Sequence, residues 1–340
     1  MDLTGKKILF IAPKYFGIPE KIQSKLIELG ASVDFFDERP GNSFLTKALI
    51  RINRNLIAGY INKYHSKIIN LTRHQHYDYI FFIRGESFSE HNLKKLLNTH
   101  PESTSIVYHW DSIKNNPNAL NLLNNFDYRY SFDRSDCEKF NITFLPLFYY
   151  DEYSSLAKSK KTDEYTLMFV GTTHSDRYRI ITTLTKQIEK QGKKAFTYFY
   201  FQGKIMFYKY LFLHKECRDI DKTAVHFSSI SNEELEELYQ KSKIIIDVNH
   251  PKQSGLTIRC METLGFKRKL VTTNSDIVNY DFYNPNNILV IDRKKPFIPN
   301  EFIDAPYENI PPDIYNKYSL SAWCSTIFQD YSKNSADLSR

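Results

Sequence analysis

The stretch 243-KIIIDVNHPKQSGLTIRCMETLGFKRKLVTTN-274 predicts one strand–loop–helix–strand unit. An apolar run opens it, a loop with a central glycine follows, and a short helix leads into a second strand that ends in Thr-Thr-Asn. Continuous apolar runs separated by helices are typical of parallel strands that are buried on both faces. The stretch therefore predicts a parallel sheet covered by helices.

The same alternation of apolar runs and helical patterns continues on both sides of this unit. In the first half of the chain, the predicted strands are 6–13, 32–38, 77–85, 104–112, 127–134 and 143–149, and the predicted helices include 19–29, 44–75 and 89–99. In the second half, the predicted strands are 165–172, 195–201, 224–230, 243–250 and 287–292, with helices at 176–190 and 203–213 and in NEELEELYQKS. This pattern predicts an α/β protein with two tandem Rossmann-like doubly wound domains that face a cleft.

The length agrees with two domains, because 340 residues exceed what a single core usually holds. We expect an N-terminal Rossmann-like domain at 1–150, a polar linker at 151–164, and a C-terminal Rossmann-like domain at 165–312. Residues 313–340 are expected to form a C-terminal helix. That helix either crosses back onto the first domain or packs on its own domain.

The composition, 41% hydrophobic and 25% charged residues, is typical of a soluble globular protein. No apolar run approaches the roughly 18 residues of a membrane-spanning helix. The first residues, MDLTGKKILFIAP, lack the pattern of a signal peptide. We therefore expect a cytoplasmic protein.

The net charge of +7 favours anionic partners. Basic residues are scattered and no nucleic-acid-binding motif is present, so we expect no nucleic-acid partner. The segment 204–215, KIMFYKYLFLHK, mixes aromatic and basic residues. It predicts either peripheral contact with an anionic surface at the inner face of the cell membrane, or a helix buried on the sheet with its lysines pointing outward.

The four cysteines are widely separated and form no C-x-x-C pair, which argues against a zinc site or a disulfide framework. Asp219 and Asp221 match the short D-x-D pattern of some metal sites, but they stand in a polar connection without further candidate ligands. We expect no metal and no cofactor.

Ligands of open parallel sheets bind beyond the carboxyl ends of the strands. In FVGTTHSDR, 169–177, Gly171 lets the backbone turn after the strand, and Thr172 and Thr173 follow in the loop. Arg177 stands in the first turn of the next helix, where free amides favour an anion and an arginine adds a bidentate phosphate contact. The alternative is an ordinary capped turn with a solvated arginine.

The loop and helix 253–265, QSGLTIRCMETLG, give the stronger signal. Amides around Ser254 and Gly255 can reach a phosphate at the start of the helix. An apolar stripe at i, i+4 and i+8 faces the sheet and consists of Leu256, Cys260 and Leu264. Arg259 lies one turn into the helix, and Glu262 lies on a different face, where a carboxylate can accept both hydroxyls of a ribose. The alternative is an internal ion pair between Arg259 and Glu262.

Three motifs, LMFVGTTHSDR, ELEELYQKSKIIIDV and SGLTIRCMETLGFKRKLVTTN, make the segment from about 165 to 292 similar to the donor-binding domain of GT-B-fold glycosyltransferases. The resemblance is greatest to those of capsule and lipopolysaccharide clusters. It implies that Glu262 binds the ribose of a sugar nucleotide and that the loop before its helix meets the diphosphate. The predicted donor-binding residues are Gly171, Thr172, Thr173, Arg177, His250, Ser254, Gly255, Leu256, Thr257, Arg259 and Glu262.

The chain departs from that family at position 254. Many retaining members carry a second glutamate eight residues before the ribose-binding one, where this chain has Ser254. The departure favours an inverting mechanism, or a retaining one of another type. An inverting transfer needs a base for the acceptor hydroxyl, for which Asp111 in YHWDS is the first choice and Glu86 in IRGES the second. For each, the alternative is a helix cap or a loop carboxylate.

The residues and the resemblance together predict a metal-independent glycosyltransferase. Its C-terminal domain would hold a nucleotide-sugar donor, and its N-terminal domain would hold the acceptor, a growing bacterial-type surface polysaccharide or lipid-linked glycan. Two alternatives stay open. One is a sugar-nucleotide epimerase or hydrolase of the same fold, and the other is a non-catalytic or scaffolding protein that binds a nucleotide or phosphate.

Overall fold

The computed structural model describes residues 1–41, 57–115, 117–159, 162–173, 176–213, 220, 222–251 and 254–329. The chain forms two compact units. The first combines Met1–Pro146 with Leu320–Arg340, and the second is Leu147–Ser319. Within the described ranges, no helix combines the length and the apolar character that a membrane crossing requires.

The first unit is built on a parallel sheet. Its strands are β1 (Lys7–Ala12), β2 (Ser32–Asp37), β3 (Tyr79–Ile83), β4 (Thr104–His109), β5 (Tyr128–Ser131) and β6 (Thr143–Phe144). Its helices before residue 146 are α1 (Ile18–Glu28), α2 (Ala58–Thr72), α3 (Glu90–Thr99), α4 (Pro117–Leu123) and α5 (Arg134–Phe140), with a 3₁₀ turn at Ile113–Asn115. In the described residues the strand order is β2-β1-β3-β4-β5-β6, and neighbouring strands are parallel.

The second unit repeats this architecture. Its strands are β7 (Tyr165–Thr172), β8 (Ala195–Tyr200), β9 (Val225–His226), β10 (Ser242–Asp247), β11 (Lys269–Thr272) and β12 (Ile288–Val290). Its helices are α6 (Asp151–Leu156), α7 (Arg177–Glu189), α8 (Lys204–Leu213), α9 (Asn232–Lys241), α10 (Ile258–Gly265), α11 (Asn300–Asp304) and α12 (Pro312–Asn316), with 3₁₀ turns at Lys222–Ala224 and Ser275–Asn279. The parallel strands of the described chain follow the order β12-β11-β10-β7-β8-β9. A last helix, α13 (Leu320–Ile327), belongs to the first unit.

The predicted α/β fold with two Rossmann-like doubly wound sheets is confirmed. The apolar runs are the reason: the isoleucines of β10, from Ile244 to Ile246, have no solvent contact, and the core of β1 is equally buried. In each sheet the strand order reverses beside the first strand of the unit, between β1 and β3 and between β7 and β10. The loops that follow these strands flank the point where such sheets bind ligands.

Helix α13 packs on the first unit through aromatic side chains. The ring of Trp323 lies 4.8 Å from that of Tyr108 and 6.1 Å from that of Phe81, and Phe328 lies 5.3 Å from Phe81. Burial of these large rings stabilises the packing of α13 on the first unit. Of the two positions that the sequence left open for the end of the chain, the structure has the one on the first unit.

The polar segment 151–164 differs from the predicted linker. The first unit ends at Pro146, and the chain forms helix α6 within this segment. Tyr153 is buried, and its ring lies 4.2 Å from that of Phe266. One buried aromatic side chain in an otherwise polar segment fixes it to the second unit, a contact that the absence of periodicity does not reveal.

Helix α8 differs on its two faces. Phe207 and Tyr210 are buried in the core of the second unit. On the other face, Ile205 and Phe212 are 85% and 80% exposed, and Tyr208 is also exposed. The helix is therefore not wholly buried on the sheet, and it presents apolar side chains to solvent. Residues 44–56 of the predicted helix 44–75, and residues 214 and 215 of the basic aromatic segment, lie outside the described residues.

Candidate functional site

The loops at the carboxyl edge of the second sheet are tied together by Arg293, which follows β12. Its guanidinium donates to the carboxylate of Asp176 at 2.6 Å, to Oδ1 of Asn249 at 3.0 Å and to Oγ1 of Thr273 at 2.9 Å. These partners follow β7, β10 and β11, respectively. One side chain thus connects the loops that follow four strands, at the edge where such sheets bind ligands.

Arg177 is a second tie at this edge. Its side chain is buried at the start of α7. Its Nε donates to the carbonyl oxygen of Val248 at 3.0 Å, its Nη1 donates to that of Thr172 at 2.7 Å, and its Nη2 also donates to Val248. Burial lowers the pKa of the guanidinium to about 10, against the attraction of Asp247. Arg177 thereby joins the loops after β7 and β10, and its predicted phosphate contact stays a prediction.

Arg259 on α10 differs from Arg177 in the hydrogen bonding of its guanidinium. In the described part of the chain, its guanidinium has no hydrogen-bond or ion-pair partner, and its Nε is buried without an acceptor. The group lies over the ring of Phe169, 5.4 Å from the ring centroid. It also lies against Gly171, where an added Cβ would come within 3.2 Å of both Nη atoms. Gly171 therefore provides the space for a cation that forms no ion pair with a described residue, which is a typical feature of an anion site.

Glu262 faces helix α9. Its Oε2 accepts a hydrogen bond of 2.9 Å from the hydroxyl of Tyr239, a fully buried side chain whose ring stacks on Phe266. Burial raises the pKa of Glu262, and the charge of Arg259 opposes this shift. In the described residues the two side chains form no ion pair, so the internal ion pair that the sequence allowed is not present.

Asp247 at the end of β10 organises the start of α10. It is buried, its Oδ1 accepts a hydrogen bond of 2.9 Å from Oγ1 of Thr257, and its Oδ2 lies 3.5 Å from Sγ of Cys260. Thr257 is the residue before the helix, and its hydroxyl bonds to Asp247 instead of capping the helix amides. The first two amides of α10, those of Ile258 and Arg259, therefore have no side-chain cap, and they can bind a ligand.

The other predicted donor residues occupy the same edge. Asn274 donates through Nδ2 to the carbonyl oxygens of Ser254 at 2.8 Å and Gly255 at 3.3 Å, which fixes the loop before α10. The three residues of the predicted apolar stripe are buried, but Leu256 precedes the helix, and only Cys260 and Leu264 lie in α10. Oγ1 of Thr173 is buried and has no hydrogen-bond partner among the described residues. His250 is exposed.

The first unit has a buried charge network at the carboxyl edge of its sheet. Arg84, directly after β3, pairs with Glu86 at 3.0 Å and with Asp111 at 2.8 Å, and Arg39 also pairs with Glu86 at 2.9 Å. Glu86 is buried between the two arginines, whereas the side chain of Asp111 is 39% exposed. Of the two predicted bases, Asp111 is therefore the one that a substrate can reach.

Backbone strain accompanies this network. Arg84 has φ 71° and Gly85 has φ 70°, so two consecutive residues lie in the left-handed region. That region is unfavourable for an arginine and is found most often where function requires a fixed geometry. From this backbone conformation the Arg84 guanidinium pairs with both carboxylates.

Glu38, which follows β2, is the least expected member of the network. Its side chain has no solvent contact, and neither carboxylate oxygen accepts a hydrogen bond from a described residue. Burial raises its pKa to about 8, although Arg39, 3.9 Å away, and Arg84 oppose the shift. His109 at the end of β4 is also buried, and burial together with Arg84 lowers its pKa to about 3. Both shifts favour the neutral form of the side chain.

The sequence reasoning missed Asp247, Arg293, Glu38 and Arg39. Each stands at or just after the carboxyl end of a strand, so the rule that selected Asp111 could have selected them. Asp219 and Asp221 lie outside the described residues. Among the residues that are described, no group of three or more histidine, cysteine or carboxylate side chains could hold a metal ion.

Comparisons with known proteins find likeness in structure alone. No protein-family model and no curated protein matches the chain. Solved structures do match. An unliganded OtsA structure has a TM-score of 0.64 at 10% identity and covers 96% of this chain and 100% of its own. The α,α-trehalose 6-phosphate synthase of Burkholderia multivorans has a TM-score of 0.62 at 11% identity, with 99% and 98% covered.

A third similar structure is HepE of Anabaena in complex with UDP. Its TM-score is 0.52 at 12% identity, and the match covers 98% of each chain. At such low identities these matches establish the fold, which is the two-domain GT-B fold with Rossmann-like domains.

The buried Glu38 gives a prediction about pH. The folded chain keeps a proton on Glu38 that the unfolded chain loses, so the free energy of unfolding falls as pH rises from about 4.5 to about 8. Glu38→Gln removes this titration. We expect its stability relative to wild type to increase from pH 5 to pH 8 by on the order of 1–3 kcal/mol.

Tryptophan fluorescence during chemical unfolding measures this difference in the first unit, because both tryptophans of the chain, Trp110 and Trp323, belong to that unit. Glu90→Gln is the control, because Glu90 is half exposed and pairs with Lys94 at the surface. Wild type and Glu38→Gln curves that stay parallel across this pH range would contradict a neutral Glu38.

Proposed function

We propose that the chain is a glycosyltransferase that uses a nucleotide-sugar donor, bound by the second unit. The observation that carries the proposal is the unpartnered guanidinium of Arg259 beside Gly171, one turn before Glu262 on the same helix. A cation and a carboxylate at this spacing suit the diphosphate and the ribose of one ligand. Structures of the same fold support this choice of ligand, since HepE binds UDP and the E. coli trehalose-6-phosphate structure binds UDP-2-fluoro glucose.

The donor-side residues have separate tasks in this proposal. Arg259 and the uncapped amides at the start of α10 bind the diphosphate. Glu262 accepts a ribose hydroxyl through Oε1, while Tyr239 holds Oε2 and so fixes the carboxylate. Arg177 keeps the two loops at the right distance through its bonds to Thr172 and Val248.

The proposed reaction is a direct displacement at the anomeric carbon. A carboxylate in the first unit, Asp111, takes the proton of the acceptor hydroxyl, and the hydroxyl oxygen forms the new bond to that carbon. The bond between the anomeric carbon and the phosphate oxygen breaks, and the nucleoside diphosphate leaves with the electron pair. Arg259 stabilises the negative charge that develops on the leaving phosphate, in the role that a metal has in other transferases.

The stereochemical outcome is part of the proposal. Direct displacement inverts the anomeric centre, and Ser254 in place of a second glutamate favours it. One structure of the same fold, a trehalose-6-phosphate synthase complex, comes from work on glycosyl transfer with retention. The anomeric configuration of the product, read by proton NMR, separates the two outcomes. Retention would overturn the role of Asp111 as base while leaving the donor site intact.

The proposed acceptor is a growing surface polysaccharide or a lipid-linked glycan, reached at the inner face of the cell membrane. Helix α8 supports the membrane part. It exposes apolar side chains, of which Ile205 and Phe212 are the most exposed, together with Lys204 and Lys209, and it contains no acidic residue. Exposed apolar side chains with flanking lysines favour an anionic lipid surface.

Nucleotide binding tests the donor site. We expect one of UDP, GDP, CMP and dTDP to raise the melting temperature of the wild-type chain, because a ligand that binds only the folded state stabilises it. Arg259→Ala should lower the affinity for that nucleotide on the order of tenfold or more, because the phosphate contact is lost. Arg129→Ala in the first unit is the control. An equal shift in wild type and Arg259→Ala would contradict the site.

The ribose contact has its own signature. Glu262→Gln should lower the preference for a ribonucleotide over its 2′-deoxy counterpart, because a carboxylate accepts hydroxyl hydrogens more strongly than an amide. The exposed Glu237 on α9 provides the control Glu237→Gln. Unchanged discrimination in Glu262→Gln would remove Glu262 from the ribose site.

Product analysis with a nucleotide-sugar donor separates the alternative functions. Release of free sugar, or a change of the sugar itself, would favour the hydrolase or epimerase alternative. Binding of the nucleotide without turnover in membrane extract would favour a non-catalytic protein.

Vesicle sedimentation tests the membrane contact. We expect the wild-type chain to bind vesicles that contain phosphatidylglycerol better than vesicles of phosphatidylcholine alone, with a loss at high salt. The double variant Ile205→Ser/Phe212→Ser should lose most of this binding. Phe297→Ser, at a side chain of the second unit that is 60% exposed, is the control. Equal vesicle binding of the double variant and the control would contradict the contact. Size-exclusion chromatography gives a second check: self-association of the wild-type chain that only the double variant abolishes would also contradict it.

A further inference from the structure

The first unit carries a group of aromatic side chains at the carboxyl edge of its sheet. Tyr15 and Phe16 follow β1 and are 49% and 58% exposed, and Trp110, directly after β4, is half-buried. The ring of Tyr15 lies 4.5 Å from that of Phe16 and 6.4 Å from that of Trp110. We call these three side chains the aromatic platform. Exposed aromatic clusters of this kind mark binding surfaces.

The backbone under the platform is strained. Phe16 has φ 48° and Gly17, which precedes α1, has φ 73°. The left-handed region is unfavourable for a bulky side chain such as phenylalanine. Phe16 gains no core burial in exchange, since more than half of it stays exposed. A strained residue that holds a large apolar side chain in solvent indicates a functional constraint.

The platform adjoins the proposed base along the chain. Asp111 is the next residue after Trp110, and Arg84 fixes its carboxylate at 2.8 Å. Aromatic faces attract the C–H faces of a sugar ring, because those hydrogens carry partial positive charge and the face of the ring is negative. A carboxylate can accept hydrogen bonds from the hydroxyl groups at the edge of such a sugar. Aromatic rings and one fixed carboxylate are therefore a combination suited to a pyranose.

We propose that the aromatic platform binds a pyranose ring of the acceptor and directs one of its hydroxyls to Asp111. This inference rests on the proposed function and specifies its acceptor site: a sugar ring of the acceptor glycan binds at these three side chains. Tyr15 and Phe16 are specificity-determining residues in this assignment. The position of the platform fits it, because the loop after β1 flanks the reversal point of the first sheet, where ligands of such folds bind.

Trp110 provides a direct measurement. The chain has two tryptophans, and the other, Trp323, is buried in the first unit. Trp323→Phe leaves Trp110 as the single reporter. We expect titration with methyl glycosides of glucose, galactose, mannose and N-acetylglucosamine, each up to its solubility limit, to give a saturable change in Trp110 emission for at least one of them. If Trp323→Phe does not fold, the difference between wild type and Trp110→Phe reports the same signal.

Variants then test the platform. Tyr15→Ala and Phe16→Ala should each lower the affinity for the glycoside by about fivefold or more, because stacking area is lost. Both variants should keep the wild-type response of the melting temperature to a nucleoside diphosphate, since they lie outside the second unit. Phe297→Ala, which removes an exposed ring of the second unit, should leave glycoside binding unchanged.

The outcomes separate this inference from the proposed function. No saturable change with any glycoside, or binding that Tyr15→Ala and Phe16→Ala leave unaffected, overturns the platform even if the nucleotide binds. A change in Trp110 emission on titration with UDP but with no glycoside also overturns it, because the rings would then stack on a nucleobase. Glycoside binding without any nucleotide binding supports the platform and overturns the proposed donor site.

Discussion

The second unit depends on a buried arginine whose donors bind the backbone. Arg177 joins the carbonyl oxygens of Thr172 and Val248, which belong to the loops after the two strands that flank the reversal point of the sheet. Without this tie, each loop would leave buried carbonyl groups unsatisfied, and the edge would have no fixed shape. Arg293 extends the same device to the loops after β11 and β12. With these loops fixed, Gly171 leaves room for Arg259, whose guanidinium lies over Phe169 and has no hydrogen-bond or ion-pair partner in the described part of the chain.

The first unit also has buried arginines at the carboxyl edge of its sheet, but their partners are different. Its arginines Arg39 and Arg84 at the carboxyl edge are paired with carboxylates, so protein groups already match their charges. Burial raises the pKa of Glu38, which opposes a further negative charge in the network. At this edge the carboxylate of Asp111 is partly exposed, and so are the rings of Tyr15 and Phe16. In our account, unpaired positive charge in one unit suits a nucleotide, and a carboxylate with aromatic rings in the other suits a sugar.

The sequence predicts the sheets and the buried stripe of α10 because both follow from local apolar spacing. It also predicts the candidate edge, since the carboxyl ends of parallel strands meet there. It does not predict which charges pair. Glu38 and Arg39 stand in a charged stretch, DERPG, that has the composition of an exposed loop, and only the strand order brings them to Glu86. Arg293 reaches Asp176 across 117 positions of sequence for the same reason. Likewise, Tyr153 gives no periodic signal, and its contact with Phe266 depends on tertiary packing.

The position of a bound nucleoside diphosphate tests the central claim most directly. A crystal structure of the full chain with the nucleotide that stabilises it would show the diphosphate itself. Our account predicts phosphate oxygens within hydrogen-bond distance of the Arg259 guanidinium and of the first amides of α10, with the ribose at Glu262. Density for the nucleotide at any other place in the chain, or a diphosphate whose only arginine contact is Arg177, would contradict it.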